Sequence, residues 1–293
     1  MNRQDYVNKM YDILRDSTKF EELKHEDPFT LTIKLEDKIN RTVRSLKDKN
    51  IISNEEATFL MVSGSSLGVL YGLPKVHKDN VPTRPIMSAC NTPSYNVSKF
   101  LVPKLLHLAE NECTIKNSYQ FSEKICNLRY TNPYLMCSFD VTSLFTNVPV
   151  NETIDIIIEK LFPGDDSKYY NMSKKEFRQL LSLAVKDSVF IFDKKIFKQV
   201  EGLAMGSPLA PVMANIFLCH FEKLWLQECP DAYKPKEYIR YVDDTFLLFE
   251  DIQQAQQFLN YINSRHVNIK LTIEEAVDGK SPYLDTFCKE GSK

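Results

Sequence analysis

The sequence predicts an α+β fold. Apolar residues recur at helical spacing in several separate stretches, and from Tyr134 onward short β-prone runs alternate with them. A third observation is local: the segment Glu237–Phe249 (EYIRYVDDTFLLF) sets two apolar, β-prone runs on either side of an adjacent Asp243–Asp244 pair. That is the pattern of a hairpin whose tight turn presents two carboxylates. Neighbouring like charges repel, so such a tip needs solvent or a cation to neutralise it. A solvated Asp-Asp turn is the commoner fate of the dipeptide, and only the rest of the chain argues for more.

Taken in order, the first ~60 residues read as helical, with Leu35, Ile39, Val43 and Leu46 on one face. Ser53 and Glu56 have capping-box spacing ahead of the apolar run Ala57–Val62. From Gly64 to Pro93 glycine, proline and β-prone residues predict an irregular β segment with a turn near Lys78–Asn80. Tyr95–Leu108 reads as a helix despite Pro103. Tyr134–Phe139 reads as a buried strand ending at Asp140, followed by helices over Glu152–Phe162 and Lys174–Lys186, the second capped by Ser173 with Glu176. A hairpin over Ser188–Val200, a Gly-rich loop, a helix over Leu209–Glu228 and the Asp-Asp hairpin come next. A helix at Asp251–Ser264, a strand at Asn268–Glu274 and a last short strand around Tyr283–Cys288 close the chain.

At 293 residues and 43% hydrophobic content, the chain can bury a sizeable core in one large or two ordinary domains. Charged residues at 26% and the lack of low-complexity tracts argue against disorder. A net charge of −2 makes no global case for nucleic-acid binding. The local distribution does: between Glu56 and Glu110 the only acid is Asp79, among Lys75, Lys78, Arg84, Lys99 and Lys104. Such an island can hold phosphates on a neutral protein. The seven cysteines show no zinc spacing, and an odd count predicts reduced thiols in an intracellular protein. The uncharged stretch Gly202–Phe221 is nominally long enough to cross a bilayer, but Pro208, Pro211, Asn215 and His220 make it a loop and a buried helix. The polar N-terminus is not a secretory leader. These features predict a soluble chain with no membrane partner.

A further aspartate, Asp140, interrupts the end of the apolar run in LMCSFDVTSLFTNVPV. A carboxylate at a strand end can face carboxylates on a neighbouring strand. The chemistry that uses such a group is two-metal phosphoryl transfer, with divalent ions about 3.5–4 Å apart. Mg²⁺ accepts hard oxygen ligands and leaves positions for substrate phosphates.

FDVTSLFTNVPV, GLAMGSPLAPVMANIFL and YIRYVDDTFLLF resemble motifs A, B and C of reverse transcriptases. The wording is most similar to the Penelope-like retroelement family, whose fingers motifs YGLPKVHK…TRPIMS resembles and whose primer grip SPYLDTFC resembles. The likeness runs in order from about residue 64 to 288. It implies a right-hand polymerase palm, an antiparallel sheet with helices on one face, plus helical and β fingers. The implied domains are a helical N-terminal segment (1–63), fingers (64–133), palm with motifs A to D (134–280) and the start of a primer grip and thumb (281–293). Neither a full thumb nor a GIY-YIG endonuclease is visible in this sequence.

The resemblance also implies roles. Asp140 and Asp243 match the carboxylates that hold two Mg²⁺ ions, with Mn²⁺ as a substitute; Asp244 matches a more peripheral acid, and the Val141 carbonyl completes a metal's shell. Phe145 matches the gate that excludes a ribose 2′-OH. Taken without the resemblance, Phe145 reads as a core aromatic, and Lys75 and Arg84 as solvated cations. With it, Lys75 and Arg84 match the residues gripping the dNTP triphosphate, while Lys78 is a weaker candidate and His77 is left structural. Gly202, Gly206 and Ser207 match the loop that brings backbone near the incoming base pair. Many reverse transcriptases carry Gln before this Gly-Ser; here it is Met205. Lys270 matches a proton donor to pyrophosphate, though a lysine on an exposed strand face needs no such role. Tyr283 and Leu284 match primer contacts, or simply core positions.

The implied activity is RNA-directed DNA synthesis on an RNA template and DNA primer, with the nucleus as the expected location by resemblance alone. The rival expectation is a non-catalytic, truncated remnant that binds nucleic acid or a partner. An RNA-templated RNA polymerase is disfavoured by Phe145. Oligomeric state is left open.

Overall fold

A computed structural model of the chain describes residues 2–76, 80–128, 134–164, 166–275, 280–284 and 286–289. Its elements begin with α1 (Arg3–Leu14), β1 (Phe20–Glu22), α2 (Pro28–Asp48), α3 (Asn54–Leu60), β2 (Gly68–Pro74) and β3 (Thr83–Ser88). Then come α4 (Tyr95–Leu105), α5 (Ser118–Asn127), β4 (Leu135–Val141), α6 (Leu144–Asn147), α7 (Val150–Leu161), β5 (Lys168–Tyr169), β6 (Met172–Ser173) and α8 (Lys174–Val185). The remainder is β7 (Val189–Phe192), β8 (Lys195–Gln199), α9 (Ala210–Glu228), β9 (Glu237–Tyr241), β10 (Asp244–Phe249), α10 (Ile252–Arg265), β11 (Leu271–Glu275), β12 (Lys280–Tyr283) and β13 (Thr286–Lys289). Two compact units form, each from two stretches of chain: Met1–Leu106 with Phe145–Met213, and His107–Leu144 with Ala214–Lys293.

In the first unit a five-stranded sheet runs β1-β8-β7-β2-β3, with β2 and β7 parallel and the other neighbours antiparallel. β7 and β8, which the sequence reading assigns to the palm stretch, therefore share a sheet with β2 and β3. Their two-residue turn places Asp193 and Lys194 at φ 45° and 67°, the left-handed pair that matches strand twist in a tight hairpin. Phe20, Leu70, Phe190 and Phe197 form the core, capped by Met10 and Leu14 of α1. α1 sits close because Gly72 has no side chain: a Cβ there would lie 2.5 Å from the Met10 sulfur and 2.2 Å from Thr83 Cγ2. The Tyr6 hydroxyl accepts the Gly72 N–H at 2.7 Å. Both expected capping boxes form, at Ser53 with Glu56 and at Ser173 with Glu176. The short strand β1 within the supposedly helical N-terminal region is a departure from expectation; it exists because β8 offers it an edge.

In the second unit an antiparallel sheet runs β11-β4-β10-β9. Side chains alternate across it, and both faces are covered. Phe139 of β4 and Phe249 of β10 pack on Phe258 of α10, at ring-centroid distances of 6.0 and 5.6 Å. On the opposite face Phe246 meets Phe121 of α5 edge-on at 5.2 Å. The expected helical face is thus α10's; α5, absent from the sequence reading, covers the other. The last predicted strand is instead two, β12 and β13, paired as a hairpin. Among the described residues no helix is long and apolar enough to cross a membrane, and the uncharged stretch is the loop before α9 and most of α9 itself.

Phe258 is fully buried between two rings of the sheet. Its replacement by alanine is expected to cost about 3–5 kcal/mol in urea unfolding of the chain, as for other buried aromatics; a loss under ~1 kcal/mol would contradict this packing.

Candidate active site

β10 pairs with β4 so that Asp244 stands directly opposite Asp140, which puts their side chains on one face of the sheet. The ladder continues into the turn, where the Val141 N–H donates to the Asp243 carbonyl at 3.2 Å. Asp140, Val141, Asp243 and Asp244 are thus brought together at one end of this sheet. Asp140 and Asp243 are half-buried, Asp244 is exposed and Val141 is buried. On the far side of β4 the Thr142 N–H donates to the Lys270 carbonyl at 2.8 Å.

The gathering of three acids expected from sequence is not preassembled: among the described residues no three His, Cys, Asp or Glu side chains form a ready-made metal-binding group. The donor set still fits Mg²⁺. That ion binds through one or two carboxylates and fills its remaining positions with water and substrate phosphates, rather than in an all-protein cage.

The turn itself is strained. Tyr241 pairs with Asp244, leaving Val242 and Asp243 as a two-residue loop, with Val242 at φ 54°. A β-branched residue in the left-handed region is a steric outlier, held at a cost of about 1–3 kcal/mol by what surrounds it. Two buried side chains do the holding. The Arg240 guanidinium donates to the Val242 carbonyl at 2.9 Å. The Tyr283 hydroxyl reaches the carbonyls of Asp244 at 2.9 Å and Ile239 at 3.3 Å.

Arg240 is also paired with Glu222 of α9, both about 1% exposed. Burial alone would lower the guanidinium's pKa, but the adjacent Glu222 carboxylate more than offsets this and raises it, so Arg240 stays charged. The Tyr238 phenol, which donates to Glu222, is pushed well above its ordinary value by burial and then by that carboxylate. Burial, then the charge of Asp244, likewise raises Tyr283. The sequence reading missed Arg240 and Glu222. A signal existed: Glu222 is the first acid after the uncharged stretch, and Arg240 sits among apolar and aromatic residues two positions before the turn.

The remaining candidates belong to the first unit. Lys75 follows β2, its N–H donating to the Pro82 carbonyl at 2.8 Å, and is half-buried. Arg84 is exposed on β3, opposite Leu73. His77 and Lys78 lie outside the described residues. Phe145 is half-buried in α6, and its carbonyl accepts the Leu203 N–H at 2.6 Å. The Gly-rich loop is also tied to β3, because the Met87 N–H donates to the Met205 carbonyl at 2.7 Å. Gly206, at φ 115°, allows that approach, since a Cβ there would lie 2.0 Å from the Met87 carbonyl oxygen. Ser207 contacts the Ser98 hydroxyl at 3.5 Å. Met205 thus ties the loop to β3 through its main-chain carbonyl.

Two candidates have structural roles in place. The Lys270 ammonium donates to the carbonyls of Asn263 at 2.5 Å and His266 at 3.1 Å, at the C-terminal end of α10. Tyr283 is a core residue, its ring 4.6 Å from Phe121 and 5.7 Å from Phe246; Leu284 packs against the same cluster.

Residues 76–276 match the family described as Reverse transcriptase (RNA-dependent DNA polymerase), and the chain belongs to that family. Telomerase reverse transcriptase of Oryza sativa subsp. japonica is 26% identical over 186 residues, which is 59% of this chain and 14% of that protein. Among solved structures, apo telomerase from Candida tropicalis superposes with a TM-score of 0.61 at 11% identity, covering 98% of this chain and 50% of that one. Telomerase from Candida albicans in complex with a fragment of telomeric RNA gives 0.57 at 13%, covering 76% and 45%. The chain spans at most half the length of these three relatives, and the structural likenesses establish the palm-and-fingers fold.

If Val242 is held in the left-handed region by its surroundings, Val242→Gly relieves the strain, because glycine adopts that region freely. The variant is expected to match or exceed the parent's stability by up to about 2 kcal/mol. A melting temperature lowered by several degrees would count against the strained turn.

Proposed function

We propose that this chain is the catalytic core of an RNA-directed DNA polymerase of a Penelope-like retroelement, extending a primer 3′-OH with dNTPs on an RNA template. The observation that carries the reading is the register of β10 on β4, which sets Asp244 opposite Asp140 and ties Asp243 to Val141. Family membership supports polymerase-type nucleotidyl transfer as the class of chemistry, and the motif wording YGLPKVHK, AMGSPL and SPYLDTFC supports the Penelope-like assignment.

Asp140, Asp243 and the Val141 carbonyl would hold two Mg²⁺ ions, with Asp244 as a peripheral acid. Such ions, when bound, supply charge stabilisation to the attacking and leaving oxygens of an in-line displacement. Lys75 and Arg84 bind the triphosphate, Lys as a compact charge and Arg as a planar fork. Phe145 excludes a ribose 2′-OH by its bulk. Gly206 and Ser207 present loop backbone to the template and incoming base. Alignment and preorganised charge, rather than covalent chemistry, provide most of the acceleration in this class of reaction.

Primer extension on an RNA template with Mg²⁺ tests the reading. Asp140→Asn and Asp243→Asn are expected to lower the rate by about 10³-fold or more with the circular dichroism spectrum unchanged; full activity in either variant refutes the assignment. A parent chain that binds template–primer but incorporates nothing would instead be the non-catalytic remnant. Phe145→Val is expected to raise rNTP use relative to dNTP by about 10–100-fold, and an unchanged ratio would remove Phe145 from the sugar site.

A further inference from the structure

We propose that the buried Arg240–Glu222 pair is a positioning device for the aspartate-bearing turn, fixing the Val242 carbonyl and through it the orientation of Asp243 and Asp244. Its catalytic consequence rests on the polymerase reading above; its structural part does not.

The guanidinium is fully committed. Nε and Nη2 engage the two Glu222 carboxylate oxygens, the latter at 3.0 Å. Nη1 donates to Asn215 Oδ1 at 2.7 Å and to the Val242 carbonyl at 2.9 Å, and Nη2 also reaches the Cys219 sulfur at 3.4 Å. Glu222 in turn accepts from the Tyr238 hydroxyl at 2.9 Å and from the Asn111 amide at 3.1 Å. The main chain of Arg240 is pinned as well, its N–H to the Cys113 carbonyl at 2.8 Å and its carbonyl from the Ile115 N–H at 3.0 Å.

A buried ion pair contributes little net stability compared with well-packed apolar residues of the same volume. Its presence here therefore calls for something an apolar pair could not do. A planar fork of five donors spans both oxygens of the helix carboxylate, the Asn215 amide oxygen and the turn carbonyl at once; a lysine's three donors sit on a single nitrogen and do not reach across that set. The carbonyl it holds belongs to the residue with left-handed backbone, which would otherwise relax. Tyr283 grips the flanking carbonyls of Ile239 and Asp244, so the turn is held from both sides.

Two variants of the full chain test this. Arg240→Lys keeps the charge opposite Glu222. The double variant Arg240→Met with Glu222→Gln removes both charges while leaving an acceptor for Tyr238 and Asn111. In whichever variants keep the parent's circular dichroism, amide hydrogen exchange over residues 239–245 is expected to quicken about 10-fold or more, with the rest of the sheet unaltered. In primer extension kcat should fall about 10–100-fold while dNTP KM and template–primer Kd move less than about 3-fold, a split that general loosening of the fold would not give. Unchanged exchange over 239–245 in a folded variant overturns the proposal, as does quickened exchange with unchanged kcat. Quickened exchange in a chain whose parent form makes no DNA would sink the polymerase reading and leave the brace standing.

Discussion

The antiparallel pairing of β10 with β4 is the constraint on which the site depends. One residue of slip would carry every side chain of β10 to the opposite face. Asp244 would then lie with Phe139 and Leu247's present neighbours, against α10, and Phe246 would be expelled from the cluster around Phe121. Apolar residues fill both faces of the sheet, so the register is held by which rings interlock, Phe246 with Phe121 and Tyr283 on one face and Phe139 and Phe249 with Phe258 on the other. The relation between Asp140 and Asp244 is therefore a by-product of core packing, obtained without any direct attraction between like charges.

The two units use different means to fix their candidate residues. In the second, side chains brace a main-chain turn, with Arg240 and Tyr283 supplying donors to carbonyls at Val242, Asp244 and Ile239. In the first, main chain braces main chain: the Gly-rich loop donates through Leu203 to the carbonyl of Phe145 and accepts through Met205 from Met87. Gly206 lets the loop come that near β3. At residue 205 it is the main-chain carbonyl, accepting from Met87, that ties the loop to β3.

Much of this was legible in the sequence, and what was legible is local. The Asp-Asp hairpin, the strand ending at Asp140, both capping boxes and the helices α4, α7, α8 and α10 rest on neighbours in sequence, so propensity and spacing reveal them. The features that escaped depend on remote partners. β1 is three residues whose only reason to be extended is the edge of β8. α5 exposes most of its surface and is anchored chiefly through Phe121, whose partners Phe246 and Tyr283 lie far along the chain. The Arg240–Glu222 pair reads as one charge in a strand and one in a helix until the two elements are folded together.

The span matched by the family and the sheet it contributes to do not share the same limits. The match to the family model opens at residue 76, within the connection between β2 and β3. Yet β2 is the strand that joins β3 to β7, and α1 lies upon it. A polypeptide trimmed to the recognisable span would leave β3 detached from β7 and the apolar face beneath Met10 and Leu14 open to water. The sheet that carries β3 therefore draws on chain ahead of the matched span, back to the first helix.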